Sequence, residues 1–301
     1  MRSPDLNVPK GISANFSTDQ SLTIFERMCR VRFFEAGVIQ SIENKDIRCN
    51  VYLSTGQEAV AAALSTLIAD YQVFPQHRAH DVFLTFGGPP ERLRDELLGR
   101  SSGSSQGKAG SNCLQWHADG VSIYGHHGLI GENVPQAVGA ALGNRRPTVC
   151  FFGDGAAEED YVLAAMGFAA TEKLPVLFVC VDNNLSILTP IADRRSWEVT
   201  KVANAFGIPA VDCADDPWAV LHHAGTLTRQ LPALINCRVC RGYWHAGIGI
   251  DGPPEWDRYE RVRQALIRQG LGRQIETIVQ TVRIEMEQLW GHSLSRRPFA
   301  A

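Results

Sequence analysis

From Leu22 to Ile39 the apolar residues Leu22, Ile24, Phe25, Met28, Val31, Phe34, Val38 and Ile39 recur at the spacing of one helix face, predicting an amphipathic helix over 20–43. Gly56, Gln57 and Glu58 open a second helix running from Ala59 to Leu67, and Glu91 to Leu98 reads as a short third one. Pro75 to Thr85 reads as a strand and turn carrying His77, Arg78 and His80. Further on, continuous apolar runs replace the helical period. Thr148–Phe152, Pro175–Val181, Pro209–Cys213 and Ala233–Val239 are short, apolar and bounded by turn residues, as buried strands are. Helical segments over 134–142, 158–172, 196–206 and 217–230 separate them. Strand and helix in alternation specify an α/β fold with a doubly wound parallel sheet. Residues 256–290 read as one or two amphipathic helices packed outside. The polar first stretch, with Pro4 and Pro9, predicts an N-terminal arm over 1–20 and a single α/β domain over 21–301.

Two of these runs end in chemistry. The first stops at Gly153, Asp154 and Gly155, the second at Asp182, Asn183, Asn184 and Leu185, one strand–helix–strand unit later. A carboxylate and a carboxamide therefore stand at the carboxyl ends of neighbouring parallel strands, where open α/β sheets bind ligands. Glycines flanking Asp154 let backbone N–H groups come close to an anion. A carboxylate, a carboxamide and a backbone carbonyl are hard oxygen donors, suited to a magnesium ion shared with phosphates.

Composition narrows the function classes. With 29 basic and 32 acidic residues the chain carries a formal charge of −3, which leaves no electrostatic footprint for nucleic acid. Arg194–Arg195 and Arg296–Arg297 are too short for a basic patch and read as solvated surface. No apolar run reaches the ~18–20 residues of a membrane span. The first residues lack the apolar core of a leader, so a cytoplasmic protein is expected. The eight cysteines are scattered. Cys237 and Cys240 spell C-x-x-C inside an apolar strand with no second pair, so neither zinc nor redox chemistry is expected there. Gly247 to Gly252 spells a dinucleotide fingerprint but runs into Pro253 and Pro254, so no helix opens there and a flexible loop is expected.

The passage from Gly153 to Leu185 resembles the diphosphate-binding motif of thiamine-diphosphate enzymes. Further segments, Tyr52 to Ala59, Gln76 to His80, Gly107 to Ser111 and Gly128 to Gly131, follow in the order of one branch. That branch is the alpha subunit of the decarboxylating first component of 2-oxoacid dehydrogenase complexes, of the pyruvate, branched-chain and acetoin types; the likeness covers roughly residues 20 to 255. It implies the thiamine-diphosphate-binding fold, with thiamine diphosphate and Mg2+ as cofactors. By this resemblance the metal ligands are Asp154, Asn183 and the Leu185 carbonyl. The cofactor contacts are His77, Arg78, Gly128, Ile130, Gly153, Asp154, Gly155, Ala156, Asn183, Leu185 and His245. Arg78 offers a planar donor fork to a diphosphate oxygen. His77 stands where the family has tyrosine. His245, four residues after Arg241, matches the histidine of the family's Arg-x-x-Gly-His loop. His245, His80 and His117 are the catalytic candidates, since imidazole exchanges protons near neutral pH. His127 is a candidate pocket residue and His126 a structural one. The glycine- and serine-rich stretch from Ser101 to Gly110 is expected to be an active-site loop.

The chain also departs from the family. Gly110 to His117 replaces a shorter family segment, and the loop from His245 to Asp251 lacks the serines phosphorylated in mitochondrial members. The resemblance implies a decarboxylase acting on a 2-oxo acid, with passage of the acyl or aldehyde unit to an acceptor such as the lipoyl group of an acyltransferase. In the family the pyrimidine-activating carboxylate lies on a beta-type subunit. No second α/β domain is evident here, so an α2β2 heterotetramer with a beta-type pyrimidine-domain chain is expected, with no nucleic-acid or membrane partner. Two other readings stay open: half of a split transketolase-type ketol transferase, and a non-catalytic scaffolding subunit.

Overall fold

The computed structural model describes residues 3–118, 120–125 and 128–291. His126, His127, Arg296 and Arg297 lie outside the described residues. Helix α1 (Thr18–Glu43) is capped by the Ser17 hydroxyl, which accepts from the Gln20 amide, and buries Ile24, Phe25, Met28, Val31, Phe34 and Val38. After α2 (Glu58–Leu67) come β1 (Gln72–Phe74), α3 (His80–Thr85) and α4 (Pro90–Leu97). A hairpin of β2 (Trp116–Ala118) and β3 (Val121–Ile123) leads to α5 (Asn133–Asn144), β4 (Thr148–Gly153), α6 (Asp160–Thr171) and β5 (Val176–Asp182). A two-stranded ribbon, β6 (Leu185–Ser186) with β7 (Thr189–Pro190), and the single turn α7 (Ile191–Arg194) precede α8 (Val199–Ala205). The chain closes with β8 (Ala210–Ala214), α9 (Pro217–Leu227), β9 (Ala233–Arg238), α10 (Arg258–Arg268) and α11 (Gly272–Trp290).

The main sheet has seven strands in the order β2-β3-β1-β4-β5-β9-β8, parallel throughout except for the β2–β3 pair. Alternation along its strands shows why both faces are covered. In β5, Leu177, Val179 and Val181 join the core shared with α1, α2 and α9, whereas Val176, Phe178 and Cys180 join the core shared with α5, α6 and α8. Each large apolar side chain so buried contributes about 1.5–3 kcal/mol.

Two details differ from the sequence expectations. The antiparallel hairpin at the sheet edge leaves no mark in the sequence pattern, because strands of three residues give almost no period-two signal. Residues 80–85 form a helix rather than a strand and turn; all six are buried, which erases the polar face a periodicity needs. The amino-terminal arm is a run of turns with a short 3-10 helix over Ile12–Asn15 rather than an extended segment, and it is anchored: the Ala214 amide donates to the Leu6 carbonyl at 2.8 Å, and Arg261 pairs with Asp5 at 2.5 Å. It thereby covers the outer edge of β8. None of the helices among the described residues is long and apolar enough to cross a membrane.

Candidate active site

The neighbouring strands β1, β4 and β5 are parallel, so their carboxyl ends open side by side, each into a loop of candidate residues. Beyond β1 come Gln76, His77 and Arg78; beyond β4, Asp154, Gly155 and Ala156; beyond β5, Asn183 and Leu185. Together with Ile130 and His245 these line one cavity of about 160 Å³. Residues drawn from five separate parts of the sequence thus share a single space. Gly155 is required there by close approach, since a Cβ would stand 2.7 Å from the Ser186 hydroxyl of the β6–β7 ribbon. The β5 turn is held by its own side chains. Asp182 accepts from the Asn184 amide at 2.8 Å, and Asn183 Oδ1 accepts from the Leu185 amide at 3.0 Å. Asp182 is fully buried and paired with Arg238 at 2.6 Å, so it shapes the turn rather than facing the cavity.

The cavity's electrostatics are cationic on one wall. Arg78 is buried and donates to the carbonyls of Leu53 at 2.6 Å and His245 at 3.1 Å. Burial, with Arg241 nearby, lowers its pKa to about 10. His245 is half-buried; burial, then the charges of Arg78 and Arg241, push it down to about 4, so the ring is neutral at pH 7. Tyr52 holds it laterally, with ring centroids 5.4 Å apart. Arg241 itself is buried, its Nε on Asp251 at 2.5 Å, while both terminal nitrogens have no hydrogen-bond partner among the described residues. Two orphaned guanidinium donors beside two other cationic or donor groups are costly unless an anion completes them.

Asp154 is 1% exposed and is the only carboxylate that lines the cavity among the described residues. Its Oδ2 accepts from Arg194 Nη2 at 2.5 Å, and its carbonyl from Arg195 Nη1 at 3.1 Å. Arg194 Nη1 also bonds the carboxylate of Glu158. These arginines are therefore not solvated surface as their sequence suggested; α7 folds them back onto the tip of β4. The donor set fits a hard cation, with a carboxylate, a carboxamide oxygen and a backbone carbonyl around one cavity. The Arg78 guanidinium and the glycine-flanked amides on the cavity wall fit a diphosphate.

Four of the sequence candidates, His80, His117, Gly128 and the loop over 101–110, stand outside this cavity. His80 is fully buried, with Nδ1 2.9 Å from Glu35 and Nε2 2.9 Å from Ser111, and does not reach the cavity. It ties α1 to the 111 segment. His117 lies on β2, edge-on to Tyr124 at 4.6 Å between ring centroids, and also lies outside the cavity. Gly128 does not line it, although Gly131, three residues on, does. The neighbouring Ile130 carbonyl accepts from the Tyr161 hydroxyl at 2.5 Å. The glycine- and serine-rich loop over 101–110 does not line the cavity either. The amides of Ser105, Gly107, Ala109 and Gly110 instead converge on the buried Glu96 carboxylate. Part of that loop borders a separate groove of about 980 Å³, whose wall also includes Tyr52. The C-x-x-C stretch has Cys237 fully buried in β9, its thiol pushed well above the usual range by Cys213 and by burial. The loop after it is closed by a bridge between Tyr243 and Ile250 and by the Arg241–Asp251 pair.

The family model of the dehydrogenase E1 component matches residues 26–247, a span that includes every cavity residue named above. The chain belongs to the dehydrogenase E1 component family. Among curated relatives of this E1 component chain, the alpha subunit of the mitochondrial pyruvate dehydrogenase E1 component of Dictyostelium discoideum is 34% identical over 59% of the chain and 47% of its own length. The alpha subunit of acetoin:2,6-dichlorophenolindophenol oxidoreductase of Cupriavidus necator is 30% identical over 74% of the chain and 71% of its own length. The pyruvate dehydrogenase E1 alpha subunit of Rhizobium meliloti is 30% identical over 66% and 59%. The chain spans about half the length of the mitochondrial relatives it matches.

Proposed function

We propose that this chain is the alpha subunit of a thiamine-diphosphate- and Mg2+-dependent 2-oxo acid decarboxylating dehydrogenase component, built on the thiamine-diphosphate-binding fold. The observation that carries the proposal is the single cavity joining Arg78, Asp154, Asn183, Leu185 and His245 in a member of the E1 component family. Arg78 and the amides of Gly155 and Ala156 would bind the diphosphate, with His77 at the cavity wall and the buried Arg241 charge near His245. Asp154, Asn183 Oδ1 and the Leu185 carbonyl would hold the magnesium ion, and the segment from Gly128 to Ile130 would meet the pyrimidine ring. Once bound, the cofactor supplies the electron sink that lets a 2-oxo acid lose its carboxylate. His245, neutral and oriented by Tyr52, can donate from one ring nitrogen to a diphosphate or substrate carboxylate and accept a proton on the other.

The reading also assigns a partner. Leu129, Ile187, Leu188, Trp244 and Ile250, each close in sequence to a cavity residue, are more than half exposed. Apolar surface of that kind around a site marks an interface. It supports a beta-type pyrimidine-domain chain covering the mouth in an α2β2 heterotetramer and supplying the second carboxylate. A lipoyl-carrying acyltransferase would then take the acyl unit. Within this scheme the arm over 1–20 is an edge cover and 21–301 is the diphosphate-binding domain. Cys29, Cys49, Cys113, Cys150, Cys180, Cys213 and Cys237 are not in disulfides, in keeping with a reducing compartment, proposed to be the cytoplasm.

The test is turnover of 2-oxo acids with an artificial electron acceptor, using the chain produced together with a beta-type partner. Activity that is lost on Asp154→Ala supports the proposal. Activity on ketose phosphates instead would indicate a ketol transferase. Calorimetry showing no binding of Mg2+ and thiamine diphosphate, with or without the partner, would indicate a scaffolding subunit.

A further inference from the structure

The carboxylate assigned to a divalent cation is engaged by a cation from the chain itself. Arg194 Nη2 lies 2.5 Å from Asp154 Oδ2, and its Nη1 bonds Glu158. Arg194 Nε donates to the Thr189 carbonyl at 3.1 Å, which fixes the guanidinium to the β6–β7 ribbon. Arg195 adds a bond to the Asp154 carbonyl, sits 3.5 Å from Glu158 and lies over the Trp197 ring at 4.5 Å. The Arg194 side chain is 12% exposed and that of Asp154 2%, so solvent screens this pair weakly.

Formal charge explains what such an arrangement does. Two carboxylates, Asp154 and Glu158, face two guanidiniums, and the cluster is balanced. A divalent cation entering alone would leave a buried excess of positive charge, and it must also take Asp154 from Arg194. A cation entering with a diphosphate brings negative charge that offsets its own and gives the displaced guanidinium an acceptor. We infer that Arg194 makes divalent-cation binding at Asp154 conditional on the diphosphate, so that the two ligands load together rather than separately. The inference rests on the metal-site assignment of the preceding section. It treats Arg194 as a positioning residue and assigns it no part in the chemical step. In thermodynamic terms, Arg194 supplies a positive coupling between two ligands, and coupling of this kind is reciprocal.

The experiment is a titration with Mn2+ as paramagnetic probe, followed by electron paramagnetic resonance, on the full chain with its beta-type partner. It is run with and without thiamine diphosphate. Without thiamine diphosphate, Arg194→Ala should bind Mn2+ at least about tenfold more tightly than the unaltered chain, because one competing charge is gone. With thiamine diphosphate present the two proteins should differ less, so the gain from the cofactor shrinks in the variant. Arg194→Lys retains a competing charge and should stay close to the unaltered chain, which separates charge from any loss of packing. Equal or weaker Mn2+ binding by Arg194→Ala, with its thermal transition intact, overturns the inference. Asp154→Asn serves as the independent control. If it leaves Mn2+ binding unchanged, the metal-site assignment itself fails; if it removes Mn2+ binding while Arg194→Ala has no effect, the site stands and the coupling is refuted.

Discussion

Arg78 donates through Nη2 to the backbone carbonyl of His245 at 3.1 Å, so a guanidinium beyond β1 positions the loop that follows β9. The same side chain reaches the Leu53 carbonyl through Nη1, which joins three loops at one buried charge.

Arg78→Lys keeps the charge but loses the planar fork, so one compact ammonium replaces donors that reach two separate carbonyls and an anion. The expected result is about 10–100-fold weaker thiamine diphosphate binding, corresponding to about 1.4–2.7 kcal/mol. Calorimetric titration of the assembled enzyme checks it, and unchanged affinity would refute the role given to Arg78.

The depressed pKa of His245 predicts a pH dependence of stability. In the unfolded chain the ring protonates near its ordinary value of 6.5, whereas in the fold it does so only near 4. Between those limits the unfolded state binds more protons, so stability falls as the pH is lowered from 6.5 towards 4. Each pKa unit is worth about 1.4 kcal/mol. Because the ring is half-exposed, screening should reduce the effect to about 1 kcal/mol. Denaturant melts at pH 7 and pH 4.5 should show that loss, and His245→Gln should lessen it.

His80 and His117 should behave in opposite ways. Removing His80 leaves the fully buried Glu35 carboxylate without its ring partner, and His80→Ala should cost about 2–4 kcal/mol in a denaturant melt. His117→Ala removes a side chain outside the cavity and should leave both stability and turnover within about twofold. A large rate loss in His117→Ala at full stability would return that residue to the catalytic set.

At the mouth, Leu188 is 71% exposed. Leu188→Asp should leave the thermal transition of the isolated chain unchanged while weakening assembly with the beta-type chain by about 2 kcal/mol or more. Light scattering after size-exclusion chromatography would detect the loss of the heterotetramer; an intact assembly would move the interface elsewhere.

The sequence carried the strands and the ligand groups at their tips because both signals are local. Four apolar runs marked four of the seven strands of the sheet, and the glycine-flanked Asp154 and the Asn183 turn announced themselves at the ends of two. What it concealed was long-range. Arg194 and Arg195 read as solvated because nothing in their neighbours reveals that the β6–β7 ribbon turns them inward. His80 read as a proton carrier because its partners, Glu35 and Ser111, lie 45 and 31 positions away. The serine- and glycine-rich stretch suggested a ligand loop, yet its amides converge on Glu96, a residue of the preceding helix. In the sequence Arg241 is only a spacing mark for His245, since an unsatisfied guanidinium emerges only when the groups around it are placed.

The groups at the tips of β1, β4 and β5 hang from adjacent strands, and the interval between them is the hydrogen-bonding repeat of the sheet, about 4.8 Å. Widening the grip would mean breaking the sheet itself. Substitutions on the exposed ribbon and on the loop after β9 leave that interval untouched, so the spacing of the strand tips is a fixed gauge of the fold.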